Sequence, residues 1–344
     1  MDKHSKNRES KSVTIRDVAR AAAVSTSTVS NVLNQARYVR PETRELVETT
    51  MKKLGYRPNN LARAMVQRDT HTIGVIIPDN ANPFFSELAR GVEDVLADAG
   101  YFVFFGNSDN DPIKERYYLR GFAERQVDGL IIAIASDGEN EELLTLSAHL
   151  PIILMDRMLK SWTGDWVMHD NETGMQLAVN HLVSLGHKAI AFIDGDPCLS
   201  TAQERRKGFE ASMQSLDLTP ASMTDGVFSV DSGYVQTVSL LRISPRPTAI
   251  VAANDLLAIG AMRAIVEAGL RVPEDVSVVG YDDIAFASFI YPGLTTISQS
   301  GRSIGVEAAR LLLRRLKDPQ EIPQRTLMKP KIAIRHSTAK PGGA

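Results

Sequence analysis

A chain of 344 residues with 43% hydrophobic and 23% charged residues has the make-up of a soluble globular protein and enough length for two or three domains. The formal net charge of −2 conceals a split: residues 1–70 carry 14 Lys and Arg against 7 Asp and Glu, whereas the remainder carries 25 against 34. A basic head on an acidic body points to a polyanion partner for the head, and the single cysteine, Cys198, excludes an internal disulfide.

No apolar run approaches the ~20 residues of a membrane helix, and the opening "MDKHSKNRES" lacks the apolar segment of a secretory signal. The expected location is therefore the cytoplasm, on the nucleoid, with no membrane partner. No motif surrounds Cys198, which reads as an ordinary thiol.

In chain order, residues 1–12 read as a disordered basic arm. From residue 13, "VTIRDVARAAAVSTSTVSNVLN" contains two short amphipathic segments. Thr14 and Asp17 form a capping box opening a helix over Ile15–Ala22, "AVS" makes a turn, and Ser25 caps a second helix. In that second helix Val29, Val32 and Leu33 make an apolar stripe. Its other face carries Thr26, Ser27, Ser30 and Asn31, all short and hydrogen-bonding. Pro41 suits the first turn of a third helix that ends before Gly55, with Leu46, Val47, Met51 and Leu54 closing a three-helix core.

Two short helices joined by a three- to four-residue turn make a helix-turn-helix, whose second helix enters the major groove of DNA. Short side chains at Thr26 and Ser27 let the backbone approach base edges, and Asn31 can pair with adenine. Arg16, Arg20, Arg37, Arg40 and Arg44 are candidates for phosphate contacts. Residues 13–58 are read as this DNA-binding domain. "RPNNLARAMVQRDTH" follows, a proline and an asparagine cap ahead of a run too short to hold a helix alone. Residues 59–70 are read as a hinge helix or linker.

After Thr70 strands alternate with helices. The expected strands are "TIGVIIP", "YFVFFGN", "VDGLIIA", "PIILMD", "KAIAFID", "TAIVAA" and "DVSVVGY", with helices beginning near Pro83, Pro112, Glu172, Gln203, Ser232, Asp255 and Ser303. Repeated βα units imply parallel sheets covered on both faces. The length favours two lobes, the first about 71–169 and 301–326, the second about 170–297 and 327–340. Ligands of such sheets sit beyond the carboxyl ends of the strands. Loops there supply Phe84, Phe85, Asp156, Arg157, Thr201, Arg205, Asn254, Asp255, Tyr281, Asp282 and Asp283. Aromatics beside carboxylates and guanidiniums suit a small polar ring compound with an apolar face, such as a sugar. One of Phe84 and Phe85 is expected in the core, Asp255 is expected to cap its helix, and Asp156 could simply brace its loop.

"TIRDVARAAAVSTSTVSNVLN", "VRPETRELV" and "LGYRPNNLARAM", in this order and spacing, resemble the DNA-binding head of the lactose/galactose-repressor (LacI/GalR) family of bacterial transcription regulators. The resemblance extends over almost the whole chain. It implies an all-α helix-turn-helix head joined to an α/β body of two doubly wound parallel sheets, like that of periplasmic binding proteins. It further implies a hinge helix that forms on the operator and wedges an apolar side chain into the minor groove; the matching position is Met65, where the family has leucine. The candidate DNA contacts become Thr14, Arg16, Ser25, Thr26, Ser27, Thr28, Ser30, Asn31, Arg37, Tyr38, Arg40, Asn59, Ala62, Arg63 and Met65. The resemblance also singles out Arg205 and Asp282 as effector-binding residues.

The expected function is a ligand-responsive repressor. It would bind a near-palindromic operator as a homodimer and answer to a sugar or sugar derivative in the cleft. The chain ends "IAIRHSTAKPGGA" without heptads, favouring a dimer over a tetramer. A sugar-binding transport protein is the alternative for the body, but it would carry an export signal and no basic head. An enzyme is the weaker rival. There is no G-x-G-x-x-G after a strand, no phosphate-binding GK[ST] loop, no G-x-S-x-G elbow and no histidine pair at metal spacing. "DGDP" at 194–197 reads as a turn, His169 and His187 as surface or structural residues. No catalytic residue, metal or cofactor is expected.

Overall fold

The computed structural model describes residues 13–33, 38–56, 70–138 and 140–342. Chain contacts divide it into a head, Met1–Thr70, and a body, His71–Ala344. The arm at 1–12, Arg37, and the hinge positions Asn59, Ala62, Arg63 and Met65 lie outside the described residues.

The head opens with α1 (Ile15–Ala21). The Thr14 backbone N–H and hydroxyl both donate to the Asp17 carboxylate, at 3.0 and 2.7 Å, fixing the first turn. The helix stops where Ala23 takes a φ of 52° and the Val24 N–H returns to the Ala19 carbonyl at 3.0 Å. Ser25 caps α2 (Thr26–Leu33): its Oγ accepts the Thr28 N–H at 3.0 Å. Pro41 starts α3 (Pro41–Leu54), and Gly55 ends it in the left-handed region at φ 64°. Val18, Ala19, Ala22, Val29, Val32 and Val47 are buried together, with Met51 and Tyr56 packed against them. Leu46 and Leu54, expected in this core, are 50% and 37% exposed. Leu46 is rotated about 100° off the Val47 stripe, and the turn through Gly55 brings Tyr56 onto the core in place of Leu54.

In the body, β1 (Thr72–Ile77), β2 (Phe102–Asn107), β3 (Gly129–Ile132), β4 (Ile152–Met155) and β5 (Asp165–His169) alternate with α4 (Pro83–Asp98), α5 (Pro112–Glu124) and α6 (Glu141–Ser147). The next stretch holds α7 (Asn171–Ser184), β6 (Ile190–Ile193), α8 (Ser200–Ser215), β7 (Ser222–Thr224), α9 (Val230–Leu240) and β8 (Ala249–Ala252). It continues with α10 (Asp255–Glu267), β9 (Ser277–Asp282), α11 (Phe286–Phe289), β10 (Thr295–Ser298), α12 (Gly301–Lys317), β11 (Arg325–Met328) and β12 (Lys331–Ala333).

Two six-stranded sheets result, with orders β11-β5-β4-β3-β1-β2 and β12-β10-β9-β8-β6-β7. Every pairing is parallel except β10 with β12. Strands such as "GLII" and "AIVA" are apolar throughout because both faces are buried. The chain passes between lobes after β5, after β10 and after β11. On the second crossing α12 packs on α4, where a Cβ at Gly305 would run into the Leu88 carbonyl and one at Gly91 into that of Arg302. Both positions need glycine for the helices to touch.

The two-lobed architecture and its seven apolar strands follow the sequence pattern. Strands β5, β7, β10, β11 and β12 and helices α6 and α11 do not appear in it. Each spans only three to seven residues and, unlike the four-residue strands β3, β4, β6 and β8, contains polar residues, so neither a period nor an apolar run registers. Among the described residues no helix is long and apolar enough to cross a membrane.

Candidate functional site

Loops at the carboxyl ends of both sheets converge on a cavity of about 300 Å³ between the lobes. Phe84, Phe85, Asp156, Arg157, Thr201, Arg205, Asn254 and Asp282 all line it. From the first lobe, Asn82 accepts the Phe84 N–H at 3.0 Å and so starts α4. That places the Phe84 and Phe85 rings edge to face, 5.1 Å apart. Both rings belong to the first-lobe core as well as to the cavity wall, rather than one to each.

Each lobe contributes one buried pair of an aspartate and an arginine. In the first lobe Asp156 has a φ of 65°, a conformation uncommon outside glycine, and Arg157 follows it. Arg157 Nη1 donates to Asn110 Oδ1 at 2.7 Å and to the Ile134 carbonyl at 2.9 Å, and its guanidinium stands 5.5 Å from the Phe85 ring centroid. Its Nε lies 3.9 Å from Asp156 Oδ2 and has no hydrogen-bond partner. In the second lobe Arg205 Nε donates to Asn171 Oδ1 at 2.9 Å and its Nη1 to the Ala253 carbonyl at 2.7 Å. Nη1 is 3.6 Å from Asp282 Oδ1, which also accepts from Gln299 Nε2 at 2.6 Å. Asp282 has a φ of 110°, so it and Asp156 both sit in strained backbone.

Burial dominates the electrostatics here. It pushes the Asp282 carboxyl up to about 7 against the pull of Arg205, and it raises Asp156 against the pull of Arg157. The Arg157 guanidinium is lowered by the same burial, which the Asp156 charge opposes. Two carboxylates this short of solvation call for hydrogen-bond donors or cations. The cavity therefore suits a compact ligand rich in hydroxyls, with ring faces for the phenylalanines.

Asp79, Asp109, Asn110, Asp196, Leu199, Val227, Phe228 and Gln299 also line the cavity and are absent from the sequence-derived set. Asn254 accepts the Leu257 N–H at 2.9 Å and is the cap of α10. Asp255, expected in that role, is fully buried and instead accepts the Ile284 N–H at 2.8 Å and the Thr296 hydroxyl at 2.6 Å. His169 and His187 are buried, not superficial. Burial lowers His169 to about 4, and His187 bridges Thr248 Oγ1 and the Ala339 carbonyl. In "DGDP" Asp194 is buried and bonded to Arg206 Nε at 2.7 Å, which makes it a structural residue. Among the described residues no group of three metal-ligating side chains occurs.

On the head, Thr26, Ser27 and Asn31 are exposed on α2, with Val29 and Val32 buried behind them. Ser25 Oγ lies 2.7 Å from both Ser27 Oγ and Thr28 Oγ1, so the cap orders the hydroxyls of the first turn. Thr14, Arg16, Tyr38 and Arg40 are exposed; Thr28, Ser30 and Arg44 are half-buried. The outer face of α2 is thus uncharged, short and wettable.

Residues 14–59 match the family described as "Bacterial regulatory proteins, lacI family", and residues 179–338 match the "Periplasmic binding protein-like domain". The chain is 40% identical over 331 residues to the HTH-type transcriptional repressor PurR of Aliivibrio fischeri strain MJ11, covering 94% of this chain and 98% of that one. The lac repressor dimer bound to operator and the anti-inducer ONPF superposes with a TM-score of 0.86 at 33% identity, covering 96% of this chain and all of that one. A LacI-family regulator from Enterococcus faecium with bound ribose superposes with a TM-score of 0.72 at 34% identity, over 78% of this chain and 99% of that one.

Proposed function

The chain belongs to the LacI family of bacterial transcriptional repressors, and from that premise we propose that it is a sugar-responsive repressor acting as a homodimer on a near-palindromic operator. The observation that carries the reading is the pair of buried Asp–Arg sets, Asp156 with Arg157 and Asp282 with Arg205, lining one small cavity from opposite lobes. Such a cavity takes a monosaccharide: its hydroxyls donate to the carboxylates and accept from the guanidiniums, and its C–H faces lie on Phe84 and Phe85. Ribose is the first candidate, since a solved relative at 34% identity holds it.

DNA is met by Thr26, Ser27 and Asn31 at base edges, with Arg16, Arg40 and Arg44 on phosphates. Asn59, Ala62, Arg63 and Met65 extend the contact into the minor groove. The homodimer is supported by apolar residues left exposed on the body. In the first lobe these are Phe102, Phe104 and Phe105 on the edge strand β2, with Ile113 and Tyr117 on α5; in the second, Phe286, Phe289 and Tyr291. Unpaired edges and large exposed aromatics are uncommon on monomers, and a two-fold dimer would cover them while presenting two heads to inverted half-sites. Sugar binding favours one lobe orientation and releases the operator, a coupling of ~1–3 kcal/mol.

The reading is tested by a thermal-shift screen of pentoses, hexoses, nucleosides and sugar acids, followed by operator selection from random DNA with and without any hit. A sugar that raises the melting temperature and lowers operator affinity is the expected result. Retention of operator binding with no response to any compound would refute the effector half.

A further inference from the structure

Three hydrogen bonds cross from lobe to lobe at one rim of the cleft. Gln203 Nε2 on α8 donates to Asp137 Oδ2 at 2.9 Å. The Asp137 N–H donates to the Cys198 carbonyl at 3.3 Å, and the Met158 N–H donates to Ser200 Oγ at 3.0 Å. Asp137 and Met158 lie in the loops after β3 and β4 of the first lobe. Cys198, Ser200 and Gln203 all belong to the start of α8 or the residues just before it. Gln203 Nε2 is steadied by a second bond to the Pro197 carbonyl at 2.7 Å, so its amide is held facing Asp137.

The same helix turns Thr201 and Arg205 into the cavity. Another lobe-to-lobe contact is apolar: Ile284, with Leu256 and Ile259, packs into the first-lobe core. Apolar contacts are non-directional and tolerate sliding, whereas the rim bonds exist only over a narrow range of lobe separation.

We propose that the Gln203–Asp137 pair is a latch across the cleft, and that it sets the sugar concentration at which the repressor responds. The second half rests on the sugar-responsive reading above; the latch itself does not. When the binding-competent lobe arrangement is only a fraction of the population, apparent affinity falls by that fraction. A latch that raises the closed fraction lowers the sugar level needed. Gln203 is exposed and Asp137 half-buried, so one such bond should shift the closed population about threefold to tenfold. Asp137 and Gln203 are thus positioning residues, outside the cavity wall.

The test compares full-length wild type with Gln203→Ala, Gln203→Glu and Gln203→Lys, by amide hydrogen exchange in peptides containing Asp137 and Met158, without sugar. Lysine, opposite the Asp137 carboxylate, should slow exchange relative to wild type. Alanine should speed it, and glutamate more so. The order discriminates, because Gln203 lies near the amino end of α8: there a glutamate stabilises the helix and a lysine weakens it. Helix stability alone predicts the reverse ranking. Ribose titration should follow, with the dissociation constant about threefold lower for lysine and about tenfold higher for glutamate. Equal exchange in all four proteins, or stronger protection by glutamate than by lysine, overturns the latch. If wild type gives no heat with ribose, the sugar reading fails and the exchange ranking still decides the latch.

Discussion

The guanidinium carbon of Arg205 lies 3.9 Å from the centroid of the Tyr281 ring, a residue with no exposed surface. With Asn171, the Ala253 carbonyl and Asp282 holding its nitrogens, this cation is oriented by the protein alone, so little entropy remains to be lost when a ligand arrives. A lysine has neither the planar fork nor the stacking face. Arg205→Lys should weaken ribose binding roughly 100-fold and cost about 1–3 kcal/mol of body stability, from the donors lost to Asn171 and Ala253. Operator binding without sugar should persist. Calorimetry with ribose, beside DNA anisotropy, checks this; wild-type sugar affinity in the variant would remove Arg205 from the site.

Asp282 should make ligand binding in the cleft pH-dependent. Its carboxyl is raised from 3.8 to about 7 in the fold, chiefly by burial, so the folded state holds the proton more tightly than the unfolded chain. That contribution to stability is fully present below pH ~4 and is lost as pH rises through about 7. A sugar hydroxyl donating to the ionised carboxylate prefers the deprotonated form. Ribose affinity should therefore rise from pH 6 to pH 8, with proton release below pH 7, and Asp282→Asn should bind poorly at every pH. Titrations in two buffers of different ionisation enthalpy read the released proton directly. Glu115 is also raised to about 7 but is bonded to the Ala135 N–H and Asn140 away from the cavity wall, so Glu115→Gln should leave the dependence intact.

What the sequence disclosed follows from where its signals are strong. The alternation of buried strands such as "GLII" with helices opened by proline or by a capping side chain marks parallel α/β sheets, because both faces of each strand are apolar, and the length of the body divides them into two lobes. Phe228 and Gln299 escaped for a physical reason. They follow β7 and β10, short strands whose "SMT" and "TTIS" mix polar with apolar residues, so neither a period nor an apolar run marks the strand ends beside which they lie. Asn110 follows β2, a strand legible from "YFVFFGN", and the same rule would have found it. The Arg205–Tyr281 stack and the lobe-crossing Gln203–Asp137 bond join residues tens of positions apart, and no local pattern encodes them. In the head, the cap at Ser25 was legible, but the exposure of Leu54 depends on how the chain leaves Gly55.

The exposed hydroxyl face of α2 implies two classes of DNA variant. Thr26 and Ser27 are short and exposed, and the Ser25 cap orders the Ser27 hydroxyl, which suits direct readout of bases. Thr26→Ala or Ser27→Ala should relax preference at particular operator positions, by about 1–3 kcal/mol of discrimination for each well-made contact. Arg44→Ala should weaken all sequences alike and reduce the slope of log affinity against log salt by about one. Binding-site selection and a salt titration separate the two; an unchanged base profile in both threonine and serine variants would mean that α2 does not read bases.

The edge strand β2 gives a last test, of assembly. Phe102 is 69% exposed and Tyr117, on the neighbouring α5, 72% exposed, and nothing in the first lobe covers them. In a two-fold dimer each such substitution acts twice, because the same patch faces itself. Phe104→Asp or Tyr117→Asp should therefore shift the protein from dimer to monomer in sedimentation velocity at micromolar concentration. Affinity for a full palindrome should fall towards that for a half-site, while ribose binding in the cleft, formed wholly within one chain, stays within about twofold of wild type. A variant that remains dimeric with full operator affinity would place the two-fold contact elsewhere on the body. One that loses sugar binding together with dimerisation would mean that the cleft depends on the partner.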